Sequence, residues 1–556
     1  MIKKFYVVLI VLFACHQLKS QSYLDHILDS GVLITGGATN SINNFESISD
    51  NSGGVFVLYS TGQSHDTIFA QHISSTGQLL WGNAQNPKAV AVKTNPDSYG
   101  IYLYSAISDG AGSFFISYYE DNTDADFPSY IQHVDSNGNK LMGTTGVKIQ
   151  GKLYPAAFAN IVPDGGSGVI ACWEERIYNY STSTFDYSQA FVQKFSSIGV
   201  PQWPGGPVQV CNSAGMTRNP FMIADGNKGA VIAFNDSRNC NPVDSFYNLD
   251  LYAQKIDGNG NLKWGSTGMP VATQADNQYV TDLILQPNKQ QYTLVYGTEV
   301  DFKSTVQSFH LQQLNSTGNR TWQPDGVLLD AEEGYFVTSK LESDGAGGAV
   351  FFWGKTDPDT YQDYSFIQRI DSATGNLLWT SGKIDLLNNP ALNYYSGDMA
   401  KDKQDNYLYS VDAYNDTEGY LKFQKLNAAG NALWGTSGKD YWFFGDKVLT
   451  TADGNTIVLS LPIVSSDNPY DYQNIVAYKM DDDGNMLWRS SPFTTIGDGD
   501  WNDPAVWQAG FVPPSAANVS ISSNITVTAN ASCNSIKILP DGSVTVASGV
   551  TFAVLH

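Results

Sequence analysis

The stretch Leu251-Tyr-Ala-Gln-Lys-Ile-Asp-Gly-Asn-Gly-Asn-Leu-Lys-Trp264 decides the fold, because it recurs. A glycine turn followed four residues later by a large apolar anchor occurs eight times, the anchors being Trp81, Met142, Trp203, Trp264, Trp322, Trp379, Trp434 and Trp488. Successive anchors stand 61, 61, 61, 58, 57, 55 and 54 residues apart, a period at which repeat architectures are considered first. A glutamine precedes most anchors by ten residues: Gln71, Gln132, Gln193, Gln254, Gln312 and Gln424. Gln368 lies one residue further from Trp379, since its turn is longer, and only the last copy departs, with Tyr478 in the slot.

The segment around each glutamine reads as a strand, and the Asn-Gly or Gly-Asn pair after it is hairpin turn chemistry. Upstream lies a second hairpin signal, a Gly-rich turn before an apolar run, as in Asp225-Gly-Asn-Lys-Gly-Ala230 and Asp344-Gly-Ala-Gly-Gly-Ala349. Each unit therefore supplies about four antiparallel strands, the content of one propeller blade. One such sheet cannot bury both of its apolar faces alone, whereas a ring of eight can. The expectation is an all-β chain, an eight-bladed β-propeller over residues 21–492 with seven blades as the alternative. Val32-Leu-Ile34 matches Gly326-Val-Leu-Leu329, which follows an anchor, so the N-terminal strand is expected to close the ring.

The anchor segments, best seen in Ile370-Asp-Ser-Ala-Thr-Gly-Asn-Leu-Leu-Trp379, resemble the tryptophan-docking repeats of eight-bladed quinoprotein propellers. Whole units such as Ile232-Ala-Phe-Asn-Asp-Ser-Arg238 with Leu249-Asp-Leu-Tyr-Ala-Gln-Lys-Ile-Asp257 and Trp264 also resemble propeller repeats of exported Bacteroidota-type surface proteins. The resemblance implies that each tryptophan locks neighbouring blades. It does not bring quinone chemistry with it, because those enzymes commonly present adjacent cysteines and this chain has no Cys-Cys pair. No cofactor and no metal site are expected.

Lys3 and Lys4 precede an apolar run from Phe5 to Ala14, the pattern of an export signal cleaved after Ser20. Leu12-Phe-Ala-Cys15 resembles a lipobox, which gives the alternative of an outer-membrane lipid anchor through Cys15. Both routes make the protein secreted or cell-surface. The formal net charge is −23, which argues against nucleic acid or anionic lipid as partner, and no downstream run is long and apolar enough to span a bilayer. Cys211 and Cys240 fall in one repeat and form a candidate disulfide, whereas Cys172, in an apolar run, reads as a small buried hydrophobe.

The repeat stops at Phe493, and short Val/Ile/Thr strands follow over residues 493–556, a small β-rich module similar to the β-helical or sandwich segments of large exported proteins. Trp501 and Trp507 read as its core pair. Turns such as Asp257-Gly-Asn-Gly-Asn261 occupy the hairpin slot and lack the closing Glu of a calcium loop.

No nucleophile elbow, phosphate loop or zinc-binding histidine pair occurs. The copies after the Gly-rich turn cluster acids and arginines in units two to four: Glu120, Glu174, Glu175, Arg176, Asp236 and Arg238. These units also carry the longest insertions, Asn122–Ser129, Asn179–Ser188 and Asn239–Asn248. Extra aromatic loop length of this kind is the usual place of recognition. The expected function is non-catalytic binding of an extracellular protein or glycan on that face, with the six residues at its base. The alternative is a polysaccharide-active hydrolase or lyase using the same acids.

Overall fold

The computed structural model describes residues 31–35, 42–61, 65–122, 127–240, 249–286, 291–299, 308–330, 335–379, 384–385, 392–414, 419–441, 447–460, 475–488, 493–507, 512–513 and 518–554, apart from positions 83, 85, 180, 182, 183, 275, 358, 361, 485 and 534. Eight four-stranded antiparallel sheets span residues 42–92, 100–148, 157–209, 217–272, 277–330, 335–385, 393–441 and 447–480, numbered here as blades 1 to 8. Each of blades 1 to 7 has its strands in chain order. Blade 8 contributes only three and takes Val32–Leu33 as its fourth, paired antiparallel with Val476 and Ala477. The first strand of every blade packs against those of both neighbours, blade 8 against blade 1 included, so the sheets form a closed ring with first strands innermost.

Three recurring devices explain why these residues build blades. The first is the glutamine, buried in the third strand. Gln254 Oε1 accepts the Trp264 backbone N–H at 3.0 Å while Nε2 donates to Gly265 O at 2.8 Å; Gln132 and Gln424 make the same pair of contacts around Met142 and Trp434, and Gln368 accepts the Trp379 N–H while donating to Trp379 O itself. The anchor sits in irregular backbone between the third and fourth strands, where ladder partners are missing, and the amide supplies them. The glutamine and tryptophan do not, as the hairpin reading suggests, lie on two paired strands: only a single bridge, such as Ile256 to Leu262, joins that turn, and the fourth strand begins beyond the anchor.

The second device is the anchor itself. Trp81, Trp203, Trp264, Trp322 and Trp379 each donate the indole N–H to a carbonyl in the next blade's glycine turn, at 3.0, 3.0, 3.1, 3.3 and 3.4 Å, and Trp488 donates back to Ser75 of blade 1 at 2.9 Å. The indole lies on the turn glycine: a Cβ on Gly260 would stand 2.9 Å from Trp203 and one on Gly318 2.6 Å from Trp264, and both glycines have φ above +80°. In blade 2, where Met142 replaces the tryptophan, His133 Nδ1 lies 2.9 Å from the equivalent carbonyl, Ser197 O.

The third is an acid–base pair between the acid opening the Gly-rich turn and the residue after the glutamine. It is an ion pair in blades 3, 4, 6 and 7, as Asp164–Lys194, Asp225–Lys255, Asp344–Arg369 and Asp402–Lys425, and a histidine takes the basic place in blades 1 and 2, as Asp50–His72 and Asp109–His133. In blade 8 the acid moves two residues to Asp453, 2.6 Å from Lys479. Blade 5 has Pro287 and Gln313 in the two slots, so both charges are replaced together. Removing one member of a buried pair strands the other, which accounts for the joint change.

Residues 493–554 coil differently. Three parallel ladders run Phe493–Thr494 to Asn518–Ile521 to Ser535–Ile538, Gly499–Asp500 to Asn524–Val527 to Ser543–Val546, and Ala531–Cys533 to Phe552–Val554. Parallel stacking of successive turns selects the β-helical form over the sandwich. Trp501 and Trp507 are its buried core, edge to face at 4.9 Å. Cys172 is fully buried. No disulfide joins Cys211 to Cys240: the Cys211 thiol instead lies 3.3 Å from Thr267 O and receives Arg238 Nη2 at 3.1 Å.

Candidate functional site

Second strands end, and third strands begin, on one face of the ring, here the upper face. Glu120, Glu175 and Asp236 occupy the same position near the ends of their second strands and are buried. Glu175 accepts the backbone N–H groups of Lys152, Leu153 and Tyr154 at 2.6, 2.8 and 3.0 Å and the Trp173 indole at 3.2 Å. Glu120 accepts Thr94 N and Asn95 N at 2.8 and 2.7 Å, with Ser98, Tyr130 and the Thr94 hydroxyl completing its shell. Asp236 is filled by Arg238 and Ser213. A carboxylate has about four acceptor directions, so none of these three has one to spare. Each holds the connector arriving from the preceding blade. Blade 6 does the same with the charges exchanged, Lys355 reaching Asp330 at 3.3 Å.

The next cluster is different in kind. Glu174 is buried, with Ser188 Oγ at 2.8 Å on one oxygen and Asn219 N at 3.2 Å on the other. Beside it the Arg176 guanidinium lies over Phe158, Phe127 and Phe185 at 4.4, 5.2 and 5.7 Å, and that of Arg218 lies over Phe185 at 4.0 Å. Phe158 and Asn219, at φ +54° and +49°, sit in the bulges of the first strands of blades 3 and 4; bulges re-aim side chains in this way. Tyr104 is 42% exposed and packs at 5.8 Å from Phe158, and Tyr178 is 38% exposed against Phe185 at 5.0 Å. Burial lowers the Arg218 pKa, Glu174 opposing and Arg176 adding to it. Arg238 stays apart, stacked at 3.7 Å on Tyr252 and spent on Asp236.

Of the expected insertions, 123–126, 180, 182–183 and 241–248 lie outside the described residues. Most of Asn179–Ser188 is strand rather than loop: Val169–Asn179 and Thr184–Phe195 form a long hairpin. Arg218 was not among the expected site residues, because it stands on a first strand, ahead of the Gly-rich turn on which the units align. Its signal was composition: three of the six arginines lie between 176 and 238.

A second group lines the bore. Glu46, Asp282, Lys340, Glu342, Asp398 and Lys447 all lie on first strands, of blades 1, 5, 6, 6, 7 and 8. Lys340 is held protonated chiefly by Asp398, against burial, with Asp282, Glu342 and Glu46 adding to it, and its coupling to Glu46 passes between blades that do not touch. Burial raises the Glu342 pKa from 4.5 to about 7, with Lys340 opposing and Asp282 and Asp398 adding. The folded chain therefore binds this proton more tightly than the unfolded one. The stability it contributes is complete below about pH 4.5 and lost as the pH rises through 7. Glu342→Gln, which mimics the protonated acid, is expected to leave the thermal midpoint unchanged near pH 4.5 and to raise it relative to the parent at pH 8. A difference that does not change with pH contradicts the assignment.

No family model matches the sequence, and no curated protein matches it. Among solved structures, the chain is similar to the Dos1 propeller (TM-score 0.43, 8% identity, 82% of this chain and 96% of that one). It is also similar to the polysaccharide lyase Uly1 (0.39, 11%, 70% and 89%) and to a protein of unknown function from Dyadobacter fermentans DSM 18053 (0.32, 11%, 71% and 96%). Likenesses this distant carry no argument about function, and the fold rests on the sheet topology above.

Proposed function

We propose that the chain is an exported, non-catalytic β-propeller that binds a protein or glycan at the cell surface or outside the cell, through the upper face of blades 2 to 4. One observation carries the reading. The acids most suited to general acid/base work, Glu120, Glu175 and Asp236, are saturated by backbone and side-chain donors, and a carboxylate so held is poorly placed to move protons. What the same face offers to solvent is aromatic and cationic, the composition enriched where proteins bind. Export through residues 1–20, or anchoring through Cys15, belongs to the same proposal and lies outside the described residues. Of the four expected acids, the hydrolase or lyase alternative retains Glu174, which is partly committed.

Incubated with a panel of polysaccharides and cell-surface proteins, the purified protein is expected to retain a ligand without turning it over. Glu175→Gln is expected to cost about 2–4 kcal/mol in stability, since it sets a donor against backbone N–H groups, and to create no catalytic defect. Reproducible turnover that is abolished by Glu174→Gln, with the thermal midpoint kept, sinks the binding reading.

A further inference from the structure

Five arginines lie among the described residues, and three have their donors engaged. Arg238 is held by Asp236 and Thr267 O, Arg320 by Pro324 O and Arg369 by Asp344. Arg176 and Arg218 donate no hydrogen bond within the described residues; their recorded contacts are with aromatic faces. Arg218 Nε is buried with no hydrogen-bond partner among the described residues. A guanidinium stacked on a ring has its face covered and its five N–H donors left in the plane, a fork that matches a carboxylate. Two like charges are held against the same phenylalanine, and the acid beside them, Glu174, already accepts from Ser188 and Asn219, so among the described residues no carboxylate fills their forks.

The walls narrow the class of anion. Tyr104 and Tyr178 are partly exposed rings packed on Phe158 and Phe185, two of the phenylalanines beneath Arg176, and an exposed aromatic ring presents an apolar face beside a polar tip, which suits the C–H face of a pyranose. The net charge of −23 opposes nucleic acid, whose binding needs many cations, whereas two arginines suffice for one carboxylate. We propose that Arg176 and Arg218 hold the carboxylate of an acidic saccharide, a uronic acid residue whose ring lies on Tyr104 and Tyr178. This rests on the binding reading above and adds the ligand class to it.

The test uses the intact protein with tetragalacturonate, its fully methyl-esterified form, maltotetraose and an acidic peptide, by titration calorimetry. Tetragalacturonate is expected to bind, with the ester and maltotetraose at least tenfold weaker. Arg218→Gln and Arg176→Gln are expected to weaken it at least tenfold with the thermal midpoint unchanged, and Tyr104→Ala to weaken it as well. The ester comparison needs no variant, so it stands even where a substitution disturbs folding. Equal binding of acid and ester, or binding untouched by Arg218→Gln, overturns the proposal. Binding of maltotetraose or the peptide alone, lost in Tyr104→Ala, overturns the acidic sugar while keeping the binding face. No binding of tetragalacturonate, glucuronate oligomers or sialyllactose at millimolar concentration overturns the acidic sugar, and turnover of any of them overturns the binding reading.

Discussion

Val32→Ser, Leu33→Ser and Ile34→Ser together are expected to open the ring, at a cost on the order of 5 kcal/mol, from three apolar side chains at about 1.5–3 kcal/mol each when fully buried. Ile34 is fully buried and Val32 packs beside it with Trp488, whereas Leu33 points to the opposite face of the same strand, into the cluster of Val476 and Tyr478. The Ile34 N–H bonds to Ile475 O at 2.9 Å, and Ile475 N to Thr35 Oγ1 at 2.9 Å. Losing this strand leaves the third strand of blade 8, Val476–Met480, as an unpaired edge, and exposed edges seek partners. Hydrogen exchange should accelerate at Val476–Met480 and size-exclusion chromatography should show self-association. Unchanged exchange there contradicts closure by the N-terminal strand. The other polar contacts across the seam, which include the Trp488 indole to Ser75 O at 2.9 Å, Lys479 Nζ to Gly53 O at 2.5 Å and Ser75 O at 3.1 Å, and Lys447 to Glu46 at 3.1 Å, are expected not to hold blade 8 by themselves.

Trp203 and Gly260 are two sides of one blade junction, and their substitutions are expected to be costly separately and less than additive together. Trp203→Ala removes a ring only 5% exposed, together with its hydrogen bond to Gly258 O, and should cost about 3–5 kcal/mol. Gly260→Ala puts a methyl group 2.9 Å from the indole in a backbone of φ +87°. Left-handed strain and overpacking together should cost roughly 2–4 kcal/mol. The three atoms nearest to that methyl group all belong to Trp203, so the closest clash disappears in the double variant and the backbone strain is what is added. A double-mutant cycle that sums within about 0.5 kcal/mol contradicts the contact as described.

The ring was legible because its devices are repeated and local. A glycine whose Cβ has no room, an amide ten residues before the anchor, and an acid–base pair around every turn but that of blade 5 recur along the chain, and comparison of copies exposes them. The long strands of blade 3 were harder to read: Asn179–Ser188 looks like an insertion in sequence, yet most of it pairs, Tyr178 with Phe185 and Asn179 with Thr184. The same comparison of copies brought out Glu120, Glu175 and Asp236, since they fill one slot, but gave no means of telling a ligand-facing acid from one turned inward onto the connector.

What the sequence by itself determined is the eightfold repeat, the closing strand and the separate C-terminal β module, all of which follow from periodicity and turn chemistry acting over a few residues. Tertiary structure alone decided which charges are spent. Whether a carboxylate meets three backbone N–H groups, as Glu175 does, depends on a connector from the neighbouring blade. Whether an arginine donates to an acid or lies over an aromatic ring, as Arg218 does, depends on where a bulged first strand aims it beside the preceding blade. Those partners are set by ring closure over tens to hundreds of residues, and no local pattern in the chain records them.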